Sequence, residues 1–274
     1  YKRQSSYSAI KSGTYNGDVD KQMKKVIEYF VTKQAAAEIY VGTDYKETSI
    51  SSNVYKIIRN CQLQGGLAIA CGDAGIGKTQ ACRQYYREHG TNCIYITVNP
   101  CIKSSKSVLE LIGSKLNVSS GSVSRLWLEI SSKLSDGMVI IVDEAQHLTR
   151  NAIDTLRSLC DCFDEKGQTL GICFVGNETT VSRLGGKQKA EFAQIRNRTK
   201  NTRFYSVKQI KKSDIEMLFP DIREDTAAVE FLLCIAQSPQ AIRGAVNLYS
   251  NALDNGNVTA KGLSAIAKYM DMAV

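Results

Sequence analysis

The stretch Gly72-Asp73-Ala74-Gly75-Ile76-Gly77-Lys78-Thr79 spreads three glycines through a turn and closes on a lysine and a hydroxyl. It follows an apolar run ending at Cys71 and precedes an amphipathic one ending near His89. Strand, glycine-rich turn and helix, in that order, let backbone N–H groups curl around phosphates at a helix N-terminus. Lys78 would reach the β and γ oxygens of ATP, Thr79 would hold Mg²⁺, and Gln80 would stand behind them in the first helical turn. A second strand, "MVIIVDEAQHL", ends on Asp143 and Glu144. Asp143 suits a hold on Mg²⁺ through water, and Glu144 suits polarisation of an attacking water; phosphoryl transfer to water needs both. Two acids at a strand end also make a helix N-cap, and His147 just beyond them has a structural as well as a nucleotide-sensing reading.

A third apolar strand, "GICFVGNETT", ends on Asn177. In an open α/β sheet ligands sit at the carboxyl ends of the strands, so Asn177 is expected to project toward the γ-phosphate and orient the water. The run "QIRNRTKNTR" then places Arg196 and Arg198 on a segment that one subunit does not easily fold back onto its own phosphates. Two readings stand: an arginine finger offered to a neighbouring subunit's ATP, or a solvated basic patch. Arg243, in "SPQAIRGAVNLY", opens a helix from which its guanidinium would close on the phosphates.

The elements that must position these groups follow from periodicity. Strands are expected over Gly66 to Cys71, Asn92 to Val98, Met138 to Val142, Gly171 to Val175 and Thr202 to Val207, with helical patterns mostly between them. Such alternation predicts an α/β fold, a parallel sheet covered by helices. From Ser213 onward only helical signals remain, with Ser213 and Thr259 as N-caps and Pro220 and Pro239 as breaks. At the other end, Asn16-Gly17 marks a turn, and Val19, Met23, Val26, Ile27 and Phe30 recur at helical spacing. A linker is expected from Val41 to Asn53. The domain reading is therefore a helical segment over 1–40, an ATPase core over 41–208 and a small helical lid over 209–274.

Composition sets the outer bounds. Of 274 residues, 43% are hydrophobic, enough for a real core. Lys and Arg number 35 against 27 acids, a net charge of +8 that suits a polyanionic partner. The nine cysteines form no Cys-x-x-Cys pair and only two histidines accompany them, which argues for reduced thiols in a cytoplasmic protein and against a zinc site. No apolar run approaches the roughly 20 residues that cross a bilayer, and no signal-peptide pattern opens the chain. Because the sequence starts at Tyr1 rather than at a methionine, a piece of a longer polypeptide is expected.

Taken in chain order, the phosphate loop, Asp143-Glu144, Asn177, Arg196/Arg198 and Arg243 with a helical lid resemble the AAA+ ATPases. More narrowly, "LAIACGDAGIGKTQACRQYYR", "VIIVDEAQHL", "VGNETTVSRLGGKQKAEFAQIRNR" and "QSPQAIRGAVN" resemble the MuB and TnsC type of transposition target-selection ATPases. The resemblance implies Walker A and B roles for Lys78, Thr79, Asp143 and Glu144, with Asn177 as the first sensor and Arg243 as the second. It places the arginine finger at Arg198, with Arg196 also permitted. It further implies a bacterial or phage-encoded protein that assembles as a filament or ring on duplex DNA, serves a DDE transposase and is released by ATP hydrolysis. "SSYSAIKSGTYNGD" resembles the last helix and exit turn of a helix-turn-helix domain, with Lys2, Arg3, Ser5, Ser6 and Ser8 facing phosphates; an ordinary helical hairpin is the other reading.

For DNA, "NPCIKSSKSV" offers Lys103, Ser104, Ser105 and Lys106 at the carboxyl edge of the sheet, and Arg150 follows the Asp-Glu pair. Gly185, Gly186 and Lys187 make a third candidate loop. Lysines and hydroxyls track phosphates without reading bases, though each also fits solvated surface. Two rival functions stay open: a helicase-loader-like ATPase, and a nucleotide-gated signalling module without turnover, against which an intact Glu144 weighs.

Overall fold

The computed structural model describes residues 8–13, 15, 17–38, 45–180 and 199–272. The chain divides into two units, Tyr1–Thr43 and Asp44–Val274. In the first, helix α1 (Val19–Glu38) carries Val19, Met23, Val26, Ile27 and Phe30 at 40–58% exposure. The Asn16-Gly17 turn falls partly, and Lys2, Arg3, Ser5 and Ser6 wholly, outside the described residues.

The second unit opens with α2 (Ser49–Gln64), followed by β1 (Gly66–Gly72), α3 (Lys78–His89), β2 (Cys93–Thr97), α4 (Ser105–Lys115) and α5 (Val123–Lys133). Then come β3 (Met138–Asp143), α6 (Arg150–Asp164), β4 (Leu170–Gly176) and β5 (Thr199–Tyr205). All five strands run parallel in the order β2-β3-β4-β1-β5, as the α/β alternation predicts. Alternation along each strand divides the core. Leu67, Ile69, Ile94, Ile96, Ile140, Val142, Ile172 and Phe174 pack with buried residues of α4, α5 and α6, such as Leu109, Ile130 and Leu156. The opposite face, carrying Ala68, Ala70 and Cys173, meets α2 and α3, whose buried residues include Val54, Ile58, Ala81 and Tyr85.

Four short helices complete the unit: α7 (Lys212–Leu218), α8 (Thr226–Ala236), α9 (Ala241–Asp254) and α10 (Ala260–Tyr269). Phe219 and Tyr249, both nearly without exposure, stack with ring centres 4.6 Å apart among buried Leu232, Ile235, Leu248 and Leu263. Among the described residues no helix is long and apolar enough to cross a membrane.

Three boundaries differ from expectation. The supposed linker is helical from Ser49, because Thr48 takes the cap position and its hydroxyl accepts from the Ser51 N–H. Ser213 lies inside α7 rather than capping it; Lys211 occupies the cap position and donates its N–H to the Asp214 carboxylate at 2.9 Å. β5 begins and ends earlier than Thr202 to Val207, since its sequence, TKNTRFY, is that of a polar edge strand whose only apolar signal lies at its end. Thr259 caps α10 as expected, accepting from the Gly262 N–H at 3.3 Å.

One buried carboxylate joins the helical end of the chain to the start of α2. Asp214, 2% exposed, accepts from the Ser49 N–H at 2.7 Å and the Ser49 hydroxyl at 2.9 Å, capping α2 from across the sequence. Asp214→Ala strands those donors and the Lys211 N–H. It is expected to lower unfolding stability in urea by about 2–3 kcal/mol, the range for orphaned buried partners of a charged acceptor; a loss below the error of the titration defeats this role.

Candidate active site

The site lies where β1, β3 and β4 end at the carboxyl edge of the sheet. Gly75 and Gly77 adopt φ of 77° and 97°, values that side chains strongly disfavour, so the loop can turn its amides inward only because these residues lack a Cβ. The loop is tethered on two sides. Asp73 donates its N–H to Tyr205 O at 3.0 Å and accepts the Val207 N–H on Oδ2 at 2.8 Å, fixing the loop to the end of β5. Gly75 O accepts the N–H of Arg243 at 3.1 Å, fixing it to the first turn of α9. Ala241, buried beside Gly75, takes a φ of 56° to allow this, a backbone strain concentrated at the junction.

Lys78 begins α3 and turns its Nζ back over the loop, donating to Gly72 O at 2.9 Å and Asp73 O at 2.5 Å. Burial lowers its pKa, and the charges of Asp143, Glu144 and Asp73 push the other way. Asp143, 2% exposed at the end of β3, has its carboxyl pKa raised by burial, against donors that favour the ionised form. Those donors are the Thr79 hydroxyl, the Tyr95 hydroxyl on Oδ2 at 3.0 Å, and the Glu144 N–H on Oδ1 at 3.0 Å. The phosphate loop and the acid strand, far apart in sequence, thus meet through Thr79 and Asp143.

Glu144 follows in a left-handed conformation with φ of 58°, which swings its side chain away from the strand direction. Its Oε2 accepts from Gln146 Nε2, while Gln146 Oε1 accepts the Asn177 N–H at 3.3 Å. Asn177 sits at the carboxyl end of β4 and turns its Oδ1 to the Thr179 N–H at 3.0 Å and hydroxyl at 2.6 Å. His147 ends the short turn after Glu144, donating its N–H to Glu144 O at 3.0 Å. Ala74 and Gln80 are exposed, Ile76 is buried beneath the loop, and the Arg243 side chain is exposed beside it.

The expected DNA-facing groups come partly together. Lys103 O accepts the Thr149 N–H at 2.9 Å, which seats the Lys103 loop against the cap of α6, where Arg150 begins. Ser104 caps α4, and Ser105 accepts from Thr155 at 3.0 Å. Lys106 and Arg150 reach Glu110 and Asp154 only at 3.9 Å, on exposed surface where such pairs add little. Lys187, Arg196 and Arg198 lie outside the described residues, as do Gly185 and Gly186.

Sequence reasoning missed Tyr95, Gln146 and Asp214. Tyr95 had one faint signal, a phenol within the otherwise aliphatic strand CIYIT; burial pushes its pKa up to about 12. All nine cysteines are free, and six of them are buried. No cluster of three metal-ligating His, Cys, Asp or Glu residues occurs among the described residues.

A family model described as an AAA domain matches residues 61–184. The "ATP-dependent target DNA activator B" of Escherichia phage Mu is 28% identical over 263 residues, 93% of this chain and 80% of the relative. The "Mu-like prophage FluMu DNA transposition protein B" of Haemophilus influenzae is 28% identical over 254 residues, 89% of this chain and 85% of the relative. Among solved structures, the Aeropyrum pernix ORC2 protein aligns with a TM-score of 0.60 at 11% identity, covering 84% of this chain and 71% of that one. The chain therefore carries an AAA+ fold, and relatives that match most of its length are named as a target DNA activator and a DNA transposition protein.

Because burial raises the pKa of Asp143, its contribution to folding is fully present below the unfolded carboxylate range and is lost as pH rises through the folded value. Ionised Asp143 is thus held at a cost at neutral pH. Asp143→Asn is expected to raise the melting temperature of the nucleotide-free protein at pH 7, by about 2–4 °C per kcal/mol relieved. The gap to wild type should narrow on acidification. A variant that melts below wild type at pH 7 contradicts this.

Proposed function

We propose that the chain is an ATP-hydrolysing, DNA-bound regulator of transposition, which assembles on duplex DNA with ATP and delivers target sites to a DDE transposase. The observation that carries the reading is topological. The phosphate loop after β1, the Lys103 loop after β2 and the Asp143–Arg150 segment after β3 all open on one edge of one parallel sheet. Nucleotide state and DNA contact are then read by neighbouring loops. The names of the relatives, an ATP-dependent target DNA activator and a DNA transposition protein, support the same reading.

In this reading Lys78 anchors the β and γ phosphates and gives up its two carbonyl partners to do so. Mg²⁺ fits the donor set, since the hydroxyl of Thr79 already meets the desolvated carboxylate of Asp143. When bound, the ion would neutralise phosphate charge. Glu144 polarises the attacking water, and Asn177 orients it after releasing Thr179. Arg243 senses the phosphates from α9, whose backbone already holds Gly75. Arg196 or Arg198 completes a neighbouring subunit's site, making the homo-oligomer the active form, as a filament or a ring. The segment over 1–40 acts as the remnant of a helix-turn-helix domain, 41–208 as the ATPase core and 209–274 as the lid, in a cytoplasmic protein.

Lys78→Ala should lose ATP binding. Glu144→Gln should bind ATP, fail to hydrolyse it and remain longer on DNA, because anchoring and water activation are separate roles. Equal dwell times for Glu144→Gln and wild type, measured by single-molecule fluorescence, would remove hydrolysis as the release step.

Contacts of Lys103 and Lys106 with phosphates carry no base information, so Lys103→Ala/Lys106→Ala should weaken binding about equally on unrelated duplexes. The log-log salt slope should soften by about 0.9 per lost contact, with ATP affinity retained. An unchanged titration at two salt concentrations would move the DNA surface elsewhere. Absence of any DNA effect on hydrolysis would favour the signalling module.

A further inference from the structure

β5 is the outermost strand of the sheet: β1 pairs with one side of it, and no described strand pairs with the other. The Tyr205 carbonyl turns inward, to the Asp73 N–H at 3.0 Å. Backbone groups of successive residues in a parallel strand point to opposite sides, so those of Thr202 and Phe204 turn outward. The side chains alternate between the faces in the same way. Asn201, Arg203 and Tyr205 stand opposite Ala68, Ala70 and Gly72 and share the face that α2 covers, whereas Thr202 and Phe204 occupy the other face. Phe204 is 45% exposed there.

Along the α2 side of this edge runs an open groove of about 490 Å³. One wall is an exposed stripe of α2, formed by Asn53, Lys56 and Asn60 on one helix face; the other wall is Asn201 and Arg203, and Lys211 also lines the groove. Lys56, Arg203 and Lys211 are exposed and form no ion pair among the described residues. No carboxylate lines the groove with them.

We propose that the outer edge of β5 is a docking site for an extended acidic segment of a partner protein, which adds to the sheet as a sixth strand. Cations on an edge keep apolar strands from pairing with it, and the same charges admit a strand that brings carboxylates. Main-chain bonds to Thr202 and Phe204 supply the affinity, and alternate side chains supply the choice of partner. Residues of the added strand beside Arg203 face the groove and its cations; those beside Phe204 lie against its ring. The chemistry recognised is therefore an alternation of acidic and apolar residues. A nucleic-acid backbone would satisfy the cations and accept from the outward N–H groups, but its phosphates donate to no carbonyl. The inference does not depend on ATP hydrolysis, and β5 lies at the opposite edge of the sheet from β2, whose following loop carries Lys103.

The test titrates a fluorescein-labelled peptide alternating glutamate and valine with the full chain, by fluorescence anisotropy, beside a peptide alternating lysine and valine. The acidic peptide should saturate and the basic one should not. Two further acidic peptides carry N-methyl groups on the amides of either the glutamates or the valines. Only one set of amides faces β5, so one of these peptides should bind about tenfold more weakly while the other keeps its affinity. Lys56→Glu/Arg203→Glu should weaken the acidic peptide about tenfold and the neutral Lys56→Gln/Arg203→Gln about threefold, with melting temperature and ATP affinity unchanged. The proposal is overturned if the acidic peptide does not saturate by about 1 mM protein, if both N-methyl peptides bind alike, or if both charge variants bind as wild type does. It is also overturned, in favour of a nucleic-acid surface, if the variants lose affinity for duplex DNA and keep it for the peptide.

Discussion

A buried carboxylate and a half-buried ammonium at the end of a parallel sheet set the conditions that the surrounding structure meets. Burial acts against the charge on Asp143 and against the charge on Lys78, in opposite directions on their pKa values. Such groups persist only where donors and counter-charges surround them. Tyr95, Thr79 and the Glu144 N–H supply donors to the first; two loop carbonyls supply acceptors to the second. The loop conformation, the tyrosine in β2 and the turn after β3 supply those partners. An apolar pair would pack more cheaply there and would hold no phosphate.

The phosphate loop is also the point at which separate parts of the fold are tied together. Asp73 fixes it to the end of β5 and Gly75 to α9, while Asp214 of α7 caps α2 from the far side. The phosphate loop is thereby joined to the end of β5 and to α9 by specific hydrogen bonds. The strained φ of Ala241 lies at this joint. A residue held in the left-handed region without being glycine implies surroundings that enforce it, here the contact with the loop at Gly75.

Much of this was legible in the sequence, and the reason is physical. The loop announces itself because its backbone conformation requires glycines at 75 and 77, and the sheet does so because strands buried on both faces leave apolar runs. What stayed hidden were side chains whose partners lie far along the chain. Tyr95 looks like one more core aromatic, Asp214 like a solvated acid near a helix start, and Gln146 like a surface polar residue. Periodicity reports which face a residue occupies, and it is silent about what waits across the gap. β5 was misplaced for a related reason: as an edge strand it buries little, so its pattern is faint.

Asn177 illustrates how far position determines role. Its place at the end of β4 follows from strand geometry, but its carbonyl oxygen is engaged by Thr179, in the manner of any Asn that opens a turn. Both descriptions apply at once. The bond to Thr179 is local and exposed, of the kind that contributes only about 1 kcal/mol net. The Asn177 N–H, by contrast, points to Gln146 and through it to Glu144. The side chain and the backbone of this residue thus bond in different directions, the one to Thr179 and the other to Gln146, as its position at a strand exit that is also a turn requires.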